Sequence, residues 1–577
     1  MKKQFITIIL AFFCGVSPLV AQVISKETLA AHPRILLNKG DVTAMREYSK
    51  QSESARLVND KIITAAIDML ADAPLTSASL ESEELTTAVS QRILQFAYAF
   101  VMTEDMEYAR RAERDMLAIS NIGGWSATVA AEYTAALSLG YDWLYHSLPV
   151  HSRSIIGTAI YEKGLRQIAA KSDAELGDKE WLALLYGSLS TMERSPEFCE
   201  ENVRRVVARC NAGGSENDVA FKSLPAMADA LTNDVMLIAA LQSSLGENSG
   251  IKLSDSFLDQ AEYLDFMVAP SYQVCNFGDA DSSAPVLPVK YWFASQCGDA
   301  SLVAVDEQLL KAKILPKAGD MPLYMIFAST LDFAKSIKRA NSWTSKGDAP
   351  LYIYRSGWAG NADSYFAIKG GGNGVNSHSD GGSFIYELNG VRWAVDPECC
   401  DADCSKRGAE WHNTLQISGA EHSTTNGAVL TESFTAASRK GAVIDMTPLF
   451  DKSVKVVTRT AELDKKDYLK ISDHIVVGDN AAQIEWKIMT NAKAEVAGPS
   501  IIKLTQDGKE IYMRLSCKNR SSIVIDDLDG LQRVGYSVEV KGGQTVDLEV
   551  EMMPLRNNKI LNRLLEKFKR GGAATKR

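Results

Sequence analysis

The chain has 577 residues, of which 46% are hydrophobic and 23% are charged. This composition is typical of a folded globular protein and excludes a disordered or fibrous chain, and the length is too great for one hydrophobic core. The formal net charge of −10 at pH 7 opposes sequence-independent binding to nucleic acid, although an anionic sugar remains compatible with a locally basic cleft.

The N-terminus has the pattern of a secretory leader. Lys2 and Lys3 precede an apolar run from Phe5 to Val16, and small residues lead to a candidate cleavage site after Ala21. The apolar run is too short to cross a bilayer. We therefore predict a signal peptide over residues 1–21, an exported protein that is periplasmic or extracellular, and no membrane span.

Residues 22–340 have the period of amphipathic helices. Stretches such as 84–105 and 127–148 repeat apolar residues three and four positions apart, and short polar segments connect about a dozen such stretches. Short connections predict antiparallel helix pairs, stacked as an open solenoid or as a closed α/α toroid. No repeat of fixed length favours the solenoid.

Residues 341–554 change to a period of two. Short segments rich in β-branched and aromatic residues alternate with Gly, Asn and Asp, without helical segments between them. This pattern predicts an antiparallel β-sandwich. Residues 555–577 are predicted to form a basic C-terminal helix and a frayed tail.

Eight of the nine cysteines lie beyond the predicted leader. Export permits disulfides, and Cys404 is close enough in sequence to pair with Cys399 or Cys400. A zinc cluster at "CCDADC" is less favoured, because no second pair of ligands follows at finger-like spacing.

Three short motifs occur in order at the start of the predicted sandwich. They are "NSHSDGGSF" (376–384), "GVRWAVD" (390–396) and "HNT" (412–414). Following a helical half, this order resembles the heparinase II/III-like polysaccharide lyases, and the likeness covers nearly the whole mature chain. The resemblance implies a multidomain α + β protein, with an N-terminal (α/α) toroid followed by a C-terminal antiparallel β-sandwich.

The resemblance also implies a reaction. Lyases of this class cleave uronic-acid polysaccharides by β-elimination, which requires neutralisation of the substrate carboxylate, a base to remove the neighbouring proton and an acid for the leaving oxygen. In the family an Asn beside a Trp, a tyrosine and the first histidine of the hairpin serve these steps.

All three of these family positions differ in this chain. Glu180 stands beside Trp181 where the Asn would be, the segment 224–234 has no tyrosine, and Asn376 replaces the first histidine. We take Asn376 as a catalytic donor to the substrate carboxylate, Trp181 and Glu180 as substrate-binding residues, and Tyr186 as a displaced catalytic tyrosine. The alternative for Tyr186 is an ordinary buried aromatic residue.

Two arginines are candidates for contact with an anionic sugar. Arg407, in a loop just before "GAEWHN", is predicted to pair with the substrate carboxylate as part of the catalytic set, because guanidinium groups bind carboxylates with two hydrogen bonds. Arg392, within "GVRWAVD", is predicted to add a cation to the substrate-binding surface.

The remaining family positions imply a metal. His378, Asp396 and His412 correspond to the residues that hold zinc in some members, and two imidazoles with one carboxylate are a suitable donor set for Zn²⁺. The alternative is a hydrogen-bonded polar cluster without metal. No nucleotide-binding motif is found.

Together with the predicted signal peptide, the resemblance therefore implies an exported polysaccharide lyase that cleaves a uronate-containing glycan of the glycosaminoglycan or alginate type. The alternative is a member of the same fold that binds an acidic polysaccharide or oligosaccharide but has lost catalysis. The oligomeric state is left open.

Overall fold

The computed structural model describes residues 24–75, 80, 85–213, 223–345, 349–358, 360, 362–372, 378–399, 405–423, 425–450, 454–555 and 562–566. The predicted signal peptide and Asn376 lie outside these residues.

The helical half has fifteen α-helices over its described residues. Their bounds are α1 Lys39–Gln51, α2 Glu53–Leu70, α3 Thr86–Thr103, α4 Met106–Ser120, α5 Ala127–Trp143, α6 Val150–Ala159, α7 Arg166–Ala169, α8 Asp178–Thr191, α9 Pro196–Asn211, α10 Leu224–Leu245, α11 Asp255–Leu258, α12 Gln260–Phe266, α13 Pro288–Cys297, α14 Ala304–Lys311 and α15 Met321–Ala328. A π-helical segment, Ile160–Leu165, joins α6 to α7.

The helices close into a ring. Helix α3 packs on α5, α5 on α8, α8 on α10, α10 on α13 and α13 on α15, while α15 packs on α2 and α2 on α3. Helices such as α4 and α9 are not part of this ring and pack on the helices that precede them, α4 on α3 and α9 on α8. The predicted toroid is confirmed, and the open solenoid is excluded because the last helix contacts the second.

The chain ahead of α1 is fixed to the ring by one buried carboxylate. Asp142 accepts hydrogen bonds from the Arg34 and Ile35 backbone amides at 2.8 Å and lies 2.5 Å from His32 Nδ1. The Arg34 guanidinium pairs with Glu193 at 2.8 Å. A buried carboxylate is stable only when its oxygens are satisfied in this way.

Helix α10 is apolar and long enough, by length and composition alone, to cross a membrane. With the turn that follows it, it spans Leu224–Ser249, and 61% of its most apolar window is buried inside the protein. The contacts of α10 with α8 and α13 in the ring account for this composition.

The second half contains seventeen strands over its described residues. They are β1 Ser342–Thr344, β2 Leu351–Arg355, β3 Tyr365–Lys369, β4 Phe384–Leu388, β5 Val391–Ala394, β6 Leu415–Ile417, β7 Val429–Ala436, β8 Arg439–Asp445, β9 Val454–Leu463, β10 Leu469–Val477, β11 Ala482–Thr490, β12 Lys493–Gly498, β13 Ile501–Gln506, β14 Lys509–Ser516, β15 Ser521–Leu528, β16 Leu531–Val540 and β17 Thr545–Met553.

These strands form three antiparallel sheets. The orders are β1-β2-β3-β4-β5, β12-β13-β14-β17-β10-β9-β8-β7 and β15-β16-β11-β6. A bridge between Val395 and Met489 connects the five-stranded sheet to the four-stranded sheet, and side chains of all three sheets share one core. The predicted antiparallel sandwich is confirmed.

The five-stranded sheet is buried on both faces, which explains its continuous apolar strands. In β2, Leu351 and Ile353 join the core of the toroid, while the alternating Tyr352 and Tyr354 join the core of the sandwich. Alternation along a strand sends successive side chains to opposite faces. The sheet therefore joins the two halves, and the candidate site forms at its edge.

Candidate functional site

Glycines in the hairpin between β3 and β4 permit close backbone packing. A Cβ atom on Gly381 would come within 2.5 Å of the Gly371 carbonyl oxygen, and Gly382 has a φ of +77° with the Met446 side chain against it. Only glycine meets both demands without strain. The hairpin therefore brings His378, which precedes these glycines, close to the body of the sandwich.

Asn413 holds the neighbouring strands in place. Its Nδ2 donates to the carbonyl oxygens of Phe384 at 2.6 Å and Val395 at 2.8 Å, and its Oδ1 accepts from the Met489 amide at 2.6 Å. Strands β4, β5 and β11 thus meet at one buried amide. The "HNT" motif consequently fixes the position of His412, the residue before Asn413.

The site is a chain of five side chains that joins the two halves of the protein. His412 Nδ1 lies 2.9 Å from Asp396 Oδ1, and His412 Nε2 lies 3.3 Å from His378 Nδ1. His378 Nε2 lies 2.9 Å from Oδ1 of Asp279, which comes from a loop of the toroid. Arg407 Nη2 donates to both oxygens of Asp279 at 3.0 and 3.1 Å.

The carboxylate partners of the two histidines determine which ring nitrogens carry protons. Nδ1–H of His412 donates to Asp396, and Nε2–H of His378 donates to Asp279, because carboxylates only accept. The other two nitrogens, His378 Nδ1 and His412 Nε2, are the inner nitrogens and lie 3.3 Å apart. Because each would otherwise point a lone pair at the other, a proton or another cation must lie between them. The site is thus arranged around one positive charge.

Nearby charges favour a cation at this position. Burial alone would lower the pKa of His412, but Asp396 and, more weakly, Asp380 raise it above its usual value. Burial would likewise raise the pKa of Asp380, but Lys369, whose Nζ lies 2.6 Å from both carboxylate oxygens, holds it below its usual value. Asp380 therefore stays ionised beside the imidazole pair.

The imidazole pair fits a zinc ion. Two nitrogens that each lie ~2.0–2.1 Å from a tetrahedral Zn²⁺ are about 3.3–3.4 Å apart, and the inner nitrogens of His378 and His412 are 3.3 Å apart. A carboxylate on the outer nitrogen of a metal-bound histidine is the usual partner that orients it. His378 and His412 would hold the ion.

Asp396 differs from the expected arrangement. The sequence predicts it as a third ligand beside both histidines, whereas it lies on the far nitrogen of His412. Its Oδ2 is buried and has no hydrogen-bond partner among the described residues. The position shown is that of an orienting carboxylate, and direct ligation by Asp396 stays a prediction.

A second group of possible donors surrounds the outer face of His378. Ligand atoms of Asp279, His378 and Cys399 all lie within 4.8 Å of one another. Cys399 is in a disulfide, so its sulfur is not available as a thiolate. The position between the two imidazoles is therefore the better metal position.

A cavity of about 630 Å³ opens beside this chain. Ser379 and Gly408, the neighbours of His378 and Arg407, form one wall. The polar side chains that line it carry hydroxyl, amide, imidazole or carboxylate groups, and none is basic apart from the imidazole: Ser379, Glu410, Gln416, Ser418, Glu421, His422, Gln483 and Glu485. Such groups suit the hydroxyls of an uncharged sugar better than a sulfate.

His422 lines this cavity, but its ring nitrogen Nδ1 is buried in the cavity wall. Its Nε2–H donates to the Leu415 carbonyl oxygen at 2.9 Å, which leaves Nδ1 as an acceptor, and Nδ1 has no hydrogen-bond partner among the described residues. Burial lowers the pKa of His422, so the neutral imidazole is favoured at neutral pH.

Lys487 lies buried near the cavity and donates to Gln416. Burial, with a smaller contribution from Arg533, lowers its pKa to about 7. Because lysine in an unfolded chain titrates near ~10.4, the unfolded state binds more protons between about pH 7 and pH 10. The free energy of unfolding therefore rises with pH over this window.

We expect Lys487→Met to remove this dependence. At pH 6 the ammonium is charged in both states, and the variant should unfold with a free energy roughly 3–5 kcal/mol higher than the parent. Urea unfolding at pH 6 and pH 9 measures both values, with exposed Lys455→Met as the control. Parallel pH dependences in the parent and Lys487→Met would contradict this interpretation.

Glu180 and Trp181 make structural contacts within the toroid, and their predicted contacts with substrate stay predictions. Glu180 Oε2 accepts from the Gly177 amide at 3.1 Å at the start of α8, and its other oxygen pairs with Lys171 at 3.3 Å. This is the usual role of an acidic residue in the first helical turn. Trp181 is only 5% exposed and packs under the Arg209 guanidinium.

The Arg392 guanidinium also has its partners within the protein. Its guanidinium pairs with Glu387 at 2.6 Å and donates to the Val274 carbonyl oxygen at 2.8 Å, so it fastens the toroid to the sandwich. It is largely buried, although it lines a cavity of about 350 Å³ together with Asp396 and Lys406, and its predicted contact with substrate stays a prediction. Arg407, in contrast, belongs to the chain of charged groups, where its partner is Asp279, and its contact with a substrate carboxylate stays a prediction.

Tyr186 is fully buried inside α8, and its hydroxyl has no hydrogen-bond partner among the described residues. Burial raises its pKa well above the usual value, which opposes a role in proton transfer. The alternative of an ordinary buried aromatic residue is the one that the structure favours.

We expect Tyr186→Phe to leave turnover of a cleaved glycan within about twofold of the parent and to leave stability equal or slightly higher, since an unsatisfied buried hydroxyl is removed. Initial rates and thermal unfolding measure the two effects. A loss of two or more orders of magnitude in rate would restore Tyr186 to the catalytic set.

Sequence reasoning missed Asp279 as a member of the site. It lies 99 residues before His378, in a loop between α12 and α13. The only sequence signal is its segment "VCNFGDADS" (274–282), which resembles the lyase family weakly.

No family model matches the chain, and no curated protein sequence matches it. Solved structures do match it. The chain is similar to a heparinase III, with a TM-score of 0.60, 11% identity and coverage of 93% of this chain and 87% of that chain. It is equally similar to the heparan sulfate lyase HepC from Pedobacter heparinus, with a TM-score of 0.60, 15% identity and coverage of 89% and 87%.

A mutant of the chondroitin AC lyase from Streptomyces coelicolor matches with a TM-score of 0.51, 12% identity and coverage of 91% and 84%. At such low sequence identities, these similarities establish the fold alone. The resemblance predicted from the sequence is confirmed at that level: the chain has the toroid-plus-sandwich fold of heparinase-like lyases.

Proposed function

We propose that this protein acts on a uronate-containing glycan by β-elimination, at the junction of toroid and sandwich. The observation that carries the proposal is the chain from Arg407 through Asp279, His378 and His412 to Asp396, which places a guanidinium and a cationic imidazole pair where the two halves meet beside an open cavity. The lyase-like fold supports it, because the similar solved structures are named as glycosaminoglycan lyases.

Positive charge is what β-elimination requires first. The proton next to an ionised carboxylate is only weakly acidic, and a cation that binds this carboxylate stabilises the negative charge of the transition state. Arg407 is the partly exposed cation of the chain, with a side chain 22% exposed, and its guanidinium fork suits a carboxylate. A Zn²⁺ ion held by His378 and His412 would supply a further positive charge there.

Neither His378 nor His412 has a free ring nitrogen that could remove the proton next to the substrate carboxylate. Both nitrogens of His378 and both of His412 already have partners within the chain. Among the described residues that line the cavity, His422 combines a neutral imidazole with an acceptor nitrogen, Nδ1, that lacks a partner and is buried in the free protein. We assign it the role of proton acceptor, which requires its ring to turn toward the bound sugar.

The cavity lining indicates the kind of sugar next to the uronate. Glu410, Glu421 and Glu485 line the cavity without a lysine or arginine among its described residues, so a sulfate there would meet like charges. Hydroxyl groups of an uncharged sugar can instead donate to these carboxylates. The proposed substrate is therefore a uronate glycan of low sulfation, encountered after export by the predicted signal peptide.

A second candidate function is binding of the same glycan without turnover. Buried Tyr186 and the helix-capping role of Glu180 favour it, because neither residue is available for the steps that the family assigns to this region. Asn376, outside the described residues, can donate a hydrogen bond but cannot act as a base.

One experiment separates these functions. Purified protein is incubated with a panel of uronate glycans, including unsulfated and sulfated glycosaminoglycans and alginate, and the ultraviolet absorbance of newly formed unsaturated uronate is followed while binding is measured in parallel. β-Elimination predicts rising absorbance with at least one unsulfated member. Binding without absorbance supports the second function, and absence of both would refute a glycan-directed role.

A further inference from the structure

The toroid contributes to the imidazole pair through one loop. Between α12 and α13, Asn276 Nδ2 donates to the Asp396 carbonyl oxygen at 2.9 Å, and the Ser282 amide donates to Glu398 at 3.1 Å. Asp279 lies between these two contacts and reaches His378. The loop is thus held on the sandwich from both sides of Asp279.

Asp279 is held more firmly than its exposure would suggest. Its side chain is 51% exposed, and an ion pair of such a residue ordinarily contributes little to stability. Here one oxygen accepts from His378 and both accept from the Arg407 guanidinium. A carboxylate fixed in this way serves to orient its partner, and that partner is His378.

A carboxylate binds each end of the imidazole pair, and the two carboxylates come from different halves of the protein. Asp396 of the sandwich binds the outer nitrogen of His412, and Asp279 of the toroid binds the outer nitrogen of His378. Each carboxylate keeps a proton on the outer nitrogen and so turns a lone pair inward. Without the toroid loop, nothing among the described residues would fix His378 in this tautomer.

We propose that Asp279 is a positioning residue that makes the imidazole pair a metal site shared by the two halves of the protein. It orients His378 so that Nδ1 faces His412 Nε2, and an ion that prefers imidazole, such as Zn²⁺, binds between them. Because the loop is fastened to His378, binding of the ion also strengthens the docking of toroid on sandwich.

Direct ligation by Asp279 is the less favourable arrangement. The Arg407 guanidinium lies 3.0 and 3.1 Å from its two oxygens, so a second cation there would be repelled. The nearby Cys399 sulfur is in a disulfide and adds no thiolate to attract it. Asp279 acts on the metal through His378.

The test uses the full-length protein without glycan, so it succeeds or fails separately from β-elimination, although it rests on the metal position described for the proposed function. Zinc affinity is measured by competition with a chromophoric chelator for the parent, Asp279→Ala and Asp279→Asn. Asp281→Ala is the matched control, because Asp281 lies in the same loop and its carboxylate accepts from the Ser283 amide at 2.9 Å.

We expect Asp279→Ala to bind Zn²⁺ about 10–100-fold more weakly, with Asp279→Asn between it and the parent and Asp281→Ala unchanged. The visible spectrum of bound Co²⁺ should change in Asp279→Ala and not in Asp281→Ala, which a merely structural role would not produce. Added Zn²⁺ should raise the thermal unfolding midpoint of the parent more than that of Asp279→Ala.

Three results would overturn the proposal. The parent protein binds no Zn²⁺, Asp279→Ala binds it as tightly as the parent, or the Co²⁺ spectrum is the same in both. If Asp279→Ala is poorly folded by circular dichroism, the isosteric Asp279→Asn decides the question by the same measurements, and parental affinity and spectrum in that variant would refute the role.

Discussion

Arg459→Met is expected to destabilise the protein by about 3–5 kcal/mol, because it leaves a buried carboxylate without its partner. Arg459 is almost fully buried, and Nε and Nη2 contact the two oxygens of Asp473 at 2.8 and 3.1 Å. Its Nη1 donates to the carbonyl oxygens of Gly382 at 2.8 Å and Asn413 at 2.9 Å. The side chain thus supports both the glycine hairpin and the "HNT" motif of the candidate site.

Chemical unfolding of the parent and the variant measures this loss. The matched control is Arg533→Met, whose guanidinium pairs with Asp526 on neighbouring strands at 2.7 Å but lies at the surface, with side chains 25% and 44% exposed. We expect the control to change the free energy of unfolding by only ~0–1 kcal/mol. Equal losses in the two variants would show that Arg459 is not a support of the site.

His412→Ala is expected to lower turnover of a cleaved uronate glycan by roughly two to three orders of magnitude. It should also lower stability, because buried Asp396 loses its hydrogen-bond donor, so activity is compared at a temperature at which circular dichroism shows the variant folded. His412 is the central member of the chain, between Asp396 and His378, and it carries the cation or would hold the proposed metal ion together with His378. Its removal takes away a buried cation that offsets Asp279 and Asp396, and so weakens the positive field that Arg407 presents to the substrate carboxylate.

His474→Ala provides the control for this variant. His474 also forms a carboxylate pair, with Asp547 at 2.8 Å, but it lies on the surface of the sandwich with a side chain 51% exposed. We expect its activity to equal that of the parent. If His412→Ala retained full activity while its fold was intact, the chain of charged groups would not be the reaction centre.

The fold could be predicted from the sequence because the spacing of apolar residues within each helix or strand is a local feature of the chain. Alternation in "PLYIYRSGW" and the helical spacing in 127–148 each report which faces of an element are buried. The sequence did not show that the five-stranded sheet is covered on both faces, since that depends on contacts of Leu351 and Ile353 with a distant part of the chain.

The candidate site was predictable where its motifs flank strands that are close in sequence: His378 precedes β4, Asp396 follows β5 and His412 precedes β6. His378, His412 and Asp396 do come together, because Asn413 fixes the strands around them. Asp279 was missed, since its approach depends on how toroid and sandwich dock, and no spacing along the chain encodes that.

Substitutions at family positions were harder to interpret from the sequence. Glu180 occupies the place of an amide in the family pattern, but its position three residues after Gly177 makes it a helix cap. Tyr186 lies near that place in sequence, yet it points into the core of the toroid. Burial, a property of packing rather than of spacing, decided the case of Tyr186, whereas the hydrogen bond with Gly177 decided that of Glu180.

Mass spectrometry of the products from an unsulfated uronate glycan shows directly whether this protein carries out β-elimination. If the charged chain between toroid and sandwich carries out β-elimination, each new non-reducing end is an unsaturated uronate and the product is lighter by one water than the corresponding hydrolysis product. Saturated ends would show hydrolysis instead, and an unaltered glycan that remains bound would show a binding protein; either result contradicts the account.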